Sequence, residues 1–225
     1  NSMLENPPSG LEAPPLGYYS AVKELTEQVS QNYTLPVDVG IVGLGTGISA
    51  MYTTEKDTID FYEIDPLVIK VASDSNYFTY LNKSKGKVSI IEGDARLTLA
   101  NSKKKYDLLV LDAFSSDAIP THLLSQEAFK VYRSRLKSNG LLLVHISNRY
   151  FDLTDSVAKT VNDLSLITVA KTYKPTKESL STGEITSKWL AVADSLNIDK
   201  FASTWEKVDW DKNTSTWTDN YSNLL

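Results

Sequence analysis

The sequence predicts an α/β domain: a mostly parallel β-sheet with helices on both faces. Three observations carry this. Apolar runs of strand length alternate with segments of helical spacing along most of the 225 residues. Several runs, such as VDVGIVGLG (37–45) and GLLLVHIS (140–147), are continuously apolar, as strands buried on both faces are. The first run also ends in Gly43-Leu44-Gly45-Thr46-Gly47, a turn that lets backbone approach a ligand before the following helix.

Residues 1–17, NSMLENPPSGLEAPPLG, are rich in Pro, Ser and Gly and read as a linker or expression remnant; residues 18–225 read as one domain. In 18–31, Ala21/Val22, Leu25 and Val29 share a helical face. Strand one (37–45) leads into a helix over 48–54. Strand two, TIDFYEID (58–65), leads into a helix over 66–75 that starts on Pro66, where no N–H is missed. Strand three, KVSIIEGD (87–94), precedes the short helix ARLTLANS, and strand four is YDLLVLDAF (106–114). A helix over 123–137 is expected to end at Ser138-Asn139-Gly140, with strand five over 140–147 and a helix over 153–164. LITVAKTY (166–173) and SKWLAVAD (187–194) close a seven-stranded sheet; with no helix between them, they are expected to pair antiparallel at one edge. The late aromatics Trp205, Trp210, Trp217 and Tyr221 read as core cover or a subunit contact, and a homodimer is compatible with them.

Composition narrows the chemistry. Cys is absent, so disulfides, Cys-zinc sites and Cys nucleophiles are excluded, which fits a reducing, cytoplasmic setting. The two histidines, His122 and His145, lie far apart in sequence, and no metal is expected. The formal charge is −5 and the one cationic run is Lys103–Lys105, read as a solvated turn, so no nucleic-acid partner is expected. An acidic balance is compatible with small cationic ligands such as amines. No run reaches the roughly 18 apolar residues of a membrane span, and no signal peptide is evident.

In such sheets ligands bind outside the carboxyl ends of the strands. Strand one ends in the Gly-rich turn. A dinucleotide G-x-G-x-x-G starting at Gly43 would need Gly at position 48, where Ile stands, which disfavours NAD and FAD. Strand two ends in Glu63-Ile64-Asp65. Glu63 lies 20 residues after Gly43, where an acid accepts hydrogen bonds from a ribose diol; Asp65, before Pro66, suits a helix cap. Strand three ends in Asp94, which reads equally as an acceptor for an adenine amino group and as a cap for the helix starting at Ala95. Strand four ends in Asp112, and capping alone is a poor account of so many acids at successive strand ends. Strand five carries His145, a position more often held by a satisfied core histidine than by a catalyst.

These residues together resemble the class I S-adenosylmethionine-dependent methyltransferase fold, which is Rossmann-like. YEIDPLVIKVA, GDARLTLA and YDLLVLDAFSSDAIPTHLLSQEAF resemble its spermidine synthase (polyamine aminopropyltransferase) branch, closest to the spermidine synthase-like domains that follow a membrane region; HISNRYFDL and WTDNYSNLL fit the same group. The resemblance runs from about Tyr18 to Leu225. It implies a transferase using decarboxylated S-adenosylmethionine or S-adenosylmethionine, with an amine acceptor and a membrane region preceding the domain in the full-length protein. It further implies that Gly43, Gly45, Thr46 and Gly47 line the nucleoside and sulfonium, that Glu63 and Ile64 hold the ribose side, and that Asp94 and Ala95 contact adenine. Asp112 would face the amine of the transferred chain; Asp117 and Tyr19 would serve the acceptor amine, with Tyr18 lining its site. The family turn reads Gly-Gly-Gly-Asp-Gly-Gly, so Thr46 replaces an acid; Ala113 and Phe114 lengthen the acidic loop; the family's Tyr-His is Tyr18-Tyr19; and the family's N-terminal hairpin has no counterpart in the residues before strand one. Three functions follow from the resemblance: aminopropyl transfer, methyl transfer to a small molecule, or binding of an adenosyl or polyamine ligand without turnover.

Overall fold

The computed structural model describes residues 17–32, 36–113, 120–181 and 184–222. Among them, strands β1 (Asp38–Val42), β2 (Thr58–Glu63), β3 (Lys87–Glu92), β4 (Tyr106–Leu111), β5 (Leu136–His145), β6 (Ile167–Tyr173), β7 (Ser187–Ala193) and β8 (Glu206–Lys207) form one sheet in the order β3-β2-β1-β4-β5-β7-β6-β8. β1 to β5 pair in parallel. The chain runs outward from β1 through β2 to β3, then returns to lay β4 on the other side of β1. The strand order therefore reverses between β1 and β4, and their carboxyl ends open a crevice.

The sheet corrects the expected seven strands to eight. β7 pairs antiparallel with β6 as expected, but it also pairs antiparallel with β5 and so lies inside the sheet. The edge on that side is β8, antiparallel to β6. Two residues are too few to show strand periodicity, which is why the sequence did not reveal it. Ser138-Asn139-Gly140 is a second correction, because it lies within β5 and does not end a helix. Between the pairs Tyr106↔Leu136 and Leu108↔Leu141, β5 advances five positions while β4 advances two. This bulge swings Lys137 onto Asp38 (2.8 Å) and Asp107 (2.6 Å), as bulges re-aim side chains.

Helices cover both faces. α1 (Ser20–Asn32) buries Ala21, Val22, Leu25 and Val29 as its spacing predicts. With α8 (Ser195–Phe201), it packs on the face formed by Ile41, Phe61, Val110, Leu143 and Trp189. The other face, including Tyr106, Leu109, Val144 and Leu190, is covered by α4 (Ala95–Asn101), α5 (Gln126–Arg135) and α6 (Thr154–Asn162). Alternate residues of β4 thus enter opposite cores, which is why the strand reads as an unbroken apolar run. α2 (Pro66–Ser73) packs beside β2 and β3, the one-turn α3 (Tyr80–Lys83) packs on α2 and on the segment after the Gly-rich turn, and α7 (Lys177–Ser181) sits in the β6–β7 connection. The segment after the Gly-rich turn is a 3₁₀ helix, Ile48–Tyr52, shorter than the helix expected over 48–54.

Of the late aromatics, Trp205 and Trp217 are buried, while Tyr221 is exposed. The tail around Trp217 is clipped by Asp219, which accepts a forked pair from Arg96 (2.7 and 2.6 Å) and a hydrogen bond from Ser125 (2.6 Å). Arg96 holds the Asp219 carboxyl down to about 2. Because that value is depressed, the clip's contribution is complete above the unfolded value near 3.9 and is lost as pH falls toward 2. Much of the Asp219 side chain is open to water, so Asp219→Asn should lower stability by no more than about 1 kcal/mol. A urea midpoint that shifts at pH 7 but converges with the native chain's near pH 2 is the expected result.

Candidate active site

The crevice between β1 and β4 is built on one close backbone contact. Gly43 has φ 97, and a Cβ there would stand 2.3 Å from the carbonyl oxygen of Asp112. Only glycine permits both the conformation and the approach. Gly43 N–H donates to Tyr62 O (2.8 Å) and Asp112 N–H to Val42 O (2.9 Å), so the ends of β2, β1 and β4 are locked side by side. Gly45 also has positive φ, 53, but its Cβ position faces open space bounded by the Tyr19 hydroxyl at 3.9 Å. The turn therefore presents bare backbone to the crevice. The Thr46 hydroxyl is buried and has no hydrogen-bond partner among the described residues.

Glu63, at the end of β2, is tied into the same turn. One carboxylate oxygen accepts from Leu44 N–H (3.0 Å) and the other from Asp65 N–H (2.9 Å). Each oxygen keeps a second lone pair, so a diol can still be bound. Asp65 caps α2 through Leu67 N–H (2.8 Å), and Asp94 caps α4 through Leu97 N–H (2.8 Å). The cap reading of Asp94 is borne out, and the cap engages only one of its two carboxylate oxygens. Ala95 is buried at the head of α4, whereas Ile64, Leu67 and Leu97 expose apolar side chains just beyond the ends of the paired strands β2 and β3.

Asp112 follows β4 and is mostly buried. Its Oδ1 accepts from the Tyr18 hydroxyl (3.2 Å) and lies 3.3 Å from His145 Nδ1, while Tyr18 Oη and His145 Nδ1 are 3.0 Å apart. Tyr18 is fixed from behind: its carbonyl accepts from Trp189 Nε1–H (2.9 Å) and Ser187 Oγ–H (3.0 Å). Burial, reinforced by the Asp112 charge, pushes the Tyr18 phenol far above its ordinary value, so it is a permanent donor. Burial pushes the His145 imidazole down, with Asp112 pulling the other way. Rings of Tyr18, Tyr19, His145 and Trp189 line this side, with Tyr18–Tyr19 centroids 4.7 Å apart and His145–Trp189 4.8 Å apart. No lysine or arginine pairs with Asp112 among the described residues, in contrast to Asp38, Asp60 and Asp107 at the opposite ends of the strands, each of which meets a lysine.

The structure thus gathers Gly43, Gly45, Glu63, Tyr18, Tyr19 and Asp112 around the ends of β1, β2 and β4, with Thr46 following in the same turn, whereas Gly47 is buried against Leu81. Asp117 lies in 114–119, outside the described residues. Two participants were not assigned to the site from sequence. His145 is buried as a core histidine would be, yet touches Asp112. Trp189 lies opposite His145 in the β5–β7 register, a pairing that two distant strands do not announce. Glu63→Ala should leave the Leu44 amide of the turn and the Asp65 amide after β2 without their acceptor and cost about 1 kcal/mol, read as a lower urea midpoint. Gly43→Ala should be more severe: positive φ alone costs a Cβ-bearing residue about 1–2 kcal/mol, and the clash with the Asp112 carbonyl adds to it. A melting temperature unchanged by Gly43→Ala would contradict the close contact.

No family model matches the chain. Among curated proteins, it is 31% identical over 116 residues to a polyamine aminopropyltransferase of Vibrio vulnificus (strain CMCP6), covering 49% of this chain and 38% of that one. It is 29% identical over 126 residues to a probable polyamine aminopropyl transferase of Bifidobacterium longum (strain NCC 2705), covering 55% and 27%. The chain therefore spans well under two thirds of these relatives' length. Among solved structures, spermidine synthase from Thermotoga maritima aligns with TM-score 0.62 at 14% identity over 91% of this chain and 69% of that one. Human methyltransferase-like protein 13, in complex with SAH, aligns with TM-score 0.57 at 19% identity over 88% and 96%. The domain has the Rossmann-like class I methyltransferase fold that spermidine synthases share, and its sequence is similar to polyamine aminopropyltransferases.

Proposed function

We propose that this domain is a spermidine synthase-like aminopropyltransferase, moving an aminopropyl group from decarboxylated S-adenosylmethionine to an amine acceptor. The observation that carries the reading is Asp112: a mostly buried carboxylate at the sheet's switch point, held by neutral donors and matched by no protein cation among the described residues. Such a charge is costly unless a cation meets it, and the donor of this reaction carries an ammonium and a sulfonium. Sequence similarity to proteins named polyamine aminopropyltransferases supports the same ligand class, as does a fold shared with a spermidine synthase crystallised with the transition-state analogue AdoDATO (TM-score 0.60, 15% identity).

In this reading the Gly43–Gly47 turn and Glu63 hold the ribose and sulfonium side, and Ile64, Asp94 and Ala95 border adenine. Asp112 binds the ammonium of the transferred chain. Bound there, the donor supplies an electrophilic carbon beside a sulfonium. The acceptor nitrogen attacks that carbon, the carbon–sulfur bond breaks with its electron pair going to sulfur, and methylthioadenosine leaves as a neutral thioether. Asp117 and Tyr19 receive the acceptor, and the proton it sheds passes to a carboxylate and then to water. Tyr18 and Tyr19, backed by the buried Trp189, contribute by restricting the acceptor's approach to the line of the breaking bond.

One feature favours a second reading, methyl transfer from intact S-adenosylmethionine. Thr46 replaces the acid that the resemblance places in the turn, and a neutral hydroxyl does not repel a carboxylate. Calorimetric titration with both cofactors separates the two. We expect the decarboxylated form to bind at least about tenfold tighter and Asp112→Asn to remove most of that preference, since a charge-assisted bond is worth about 1.5–3 kcal/mol. Tighter binding of the intact form, together with no methylthioadenosine from decarboxylated cofactor and a panel of di- and polyamines, would select methyl transfer.

A further inference from the structure

We propose that His145 is a positioning residue that fixes Asp112 by donating Nδ1–H to it while staying uncharged, so that the carboxylate's charge is left for a cationic substrate. Three polar atoms, Tyr18 Oη, His145 Nδ1 and Asp112 Oδ1, lie mutually 3.0–3.3 Å apart. An ionised carboxylate only accepts, and the tyrosine has a single proton, which it directs to Asp112. If Nδ1 were bare, its lone pair would face the carboxylate oxygen, and the one tyrosine proton would have to serve both. The Nδ1–H tautomer supplies the triangle's second hydrogen: Tyr18 O–H goes to Asp112, and Nδ1–H is shared between Asp112 Oδ1 and Tyr18 Oη.

The charge state follows from the surroundings. His145 is 3% exposed. It faces Asp112 beyond β4, the Tyr18 phenol from the N-terminal turn, and the uncharged Trp189 ring on β7. Lys188, the next residue on β7, is engaged by Asp152. Burial outweighs Asp112 and holds the imidazole below its ordinary value, hence neutral at pH 7. Were it to protonate, the imidazolium at 3.3 Å would become Asp112's own counter-ion and compete with an incoming ammonium. Cation binding at Asp112 is therefore present above the depressed imidazole value and lost as pH falls through it.

The inference takes its substrate from the transferase reading, but its geometry can be tested without turnover. The chain has two histidines, so His122→Gln leaves a single imidazole for nitrogen-15 NMR of the full chain. The expected result is a neutral Nδ1–H ring at pH 7 whose titration midpoint moves lower in Asp112→Asn, because the carboxylate no longer favours the charged form. An Nε2–H tautomer, or a midpoint indifferent to Asp112→Asn, would overturn the proposal even in an active enzyme. Failure of all turnover would sink the transferase reading and leave this result standing. In active protein, His145→Gln, which keeps a neutral donor, should hold kcat/KM for the amine within a few-fold and move the acid limb of the pH profile to lower pH. His145→Phe should cost tenfold or more. A folded His145→Phe chain with native kcat/KM and an unmoved acid limb refutes the role.

Discussion

The contact of Gly43 with the Asp112 carbonyl is the constraint on which the site depends. β1 and β4 are neighbours because the chain returns past β1 after laying down β2 and β3, and at that return two strand ends must turn away in opposite directions. They can separate only if the backbones first come together, and the 2.3 Å that a Cβ would face measures how close that is. The consequence is geometric: the Gly-rich turn leans over one lip of the crevice and the Asp112 side chain is delivered to the other. Glu63 extends the arrangement by one strand, because the carboxylate that accepts from Leu44 N–H couples the end of β2 to the same turn.

The two ends of the sheet treat their acids in opposite ways. At the amino ends, Asp38 and Asp107 share Lys137, and Asp60 meets Lys104 and the Tyr106 hydroxyl. Each of those acids meets a lysine, and Lys137 holds the Asp38 carboxyl below the usual range against the opposing effect of burial. They stitch the start of the sheet together. At the carboxyl end, Asp112 meets a phenol and an imidazole and no lysine or arginine among the described residues. Under the transferase reading, this contrast between the two ends of the sheet is what marks Asp112 as the place for a substrate cation.

The sequence carried most of the fold because its strongest signal is hydrophobic period. Four of the five parallel strands, all but β2, read as apolar runs, most clearly the fully buried β4, and α1 showed its buried stripe. What it concealed had weak or misleading local signals. β8 is two residues long. Ser138-Asn139-Gly140 has the composition of a helix stop but serves as a bulge, because pairing of Leu136 with Tyr106 begins the strand earlier than turn chemistry implies. The acids at strand ends were legible because they follow strands, and position after a strand is local information. Asp65 and Asp94 proved to be caps, as their places before helices allowed.

His145 and Trp189 were not legible for a different reason. Their proximity to Asp112 is a product of register across β4, β5 and β7 and of an N-terminal segment that crosses the sheet's end to deliver Tyr18. None of these pairings leaves a mark within a short window of sequence. Tyr18 shows how many such couplings one residue can gather. Its carbonyl is held by Trp189 and Ser187 of β7, its ring packs on His145 of β5, and its hydroxyl reaches the acid of β4. A segment that precedes the whole sheet in the chain thereby closes one wall of the crevice, and the Asp112 carboxylate is aimed by residues from three parts of the fold. In the proposed transfer between two cations, rigidity of this kind would let the acid hold one ammonium in line without drifting toward the other, because donors fixed by burial hold the carboxylate in place.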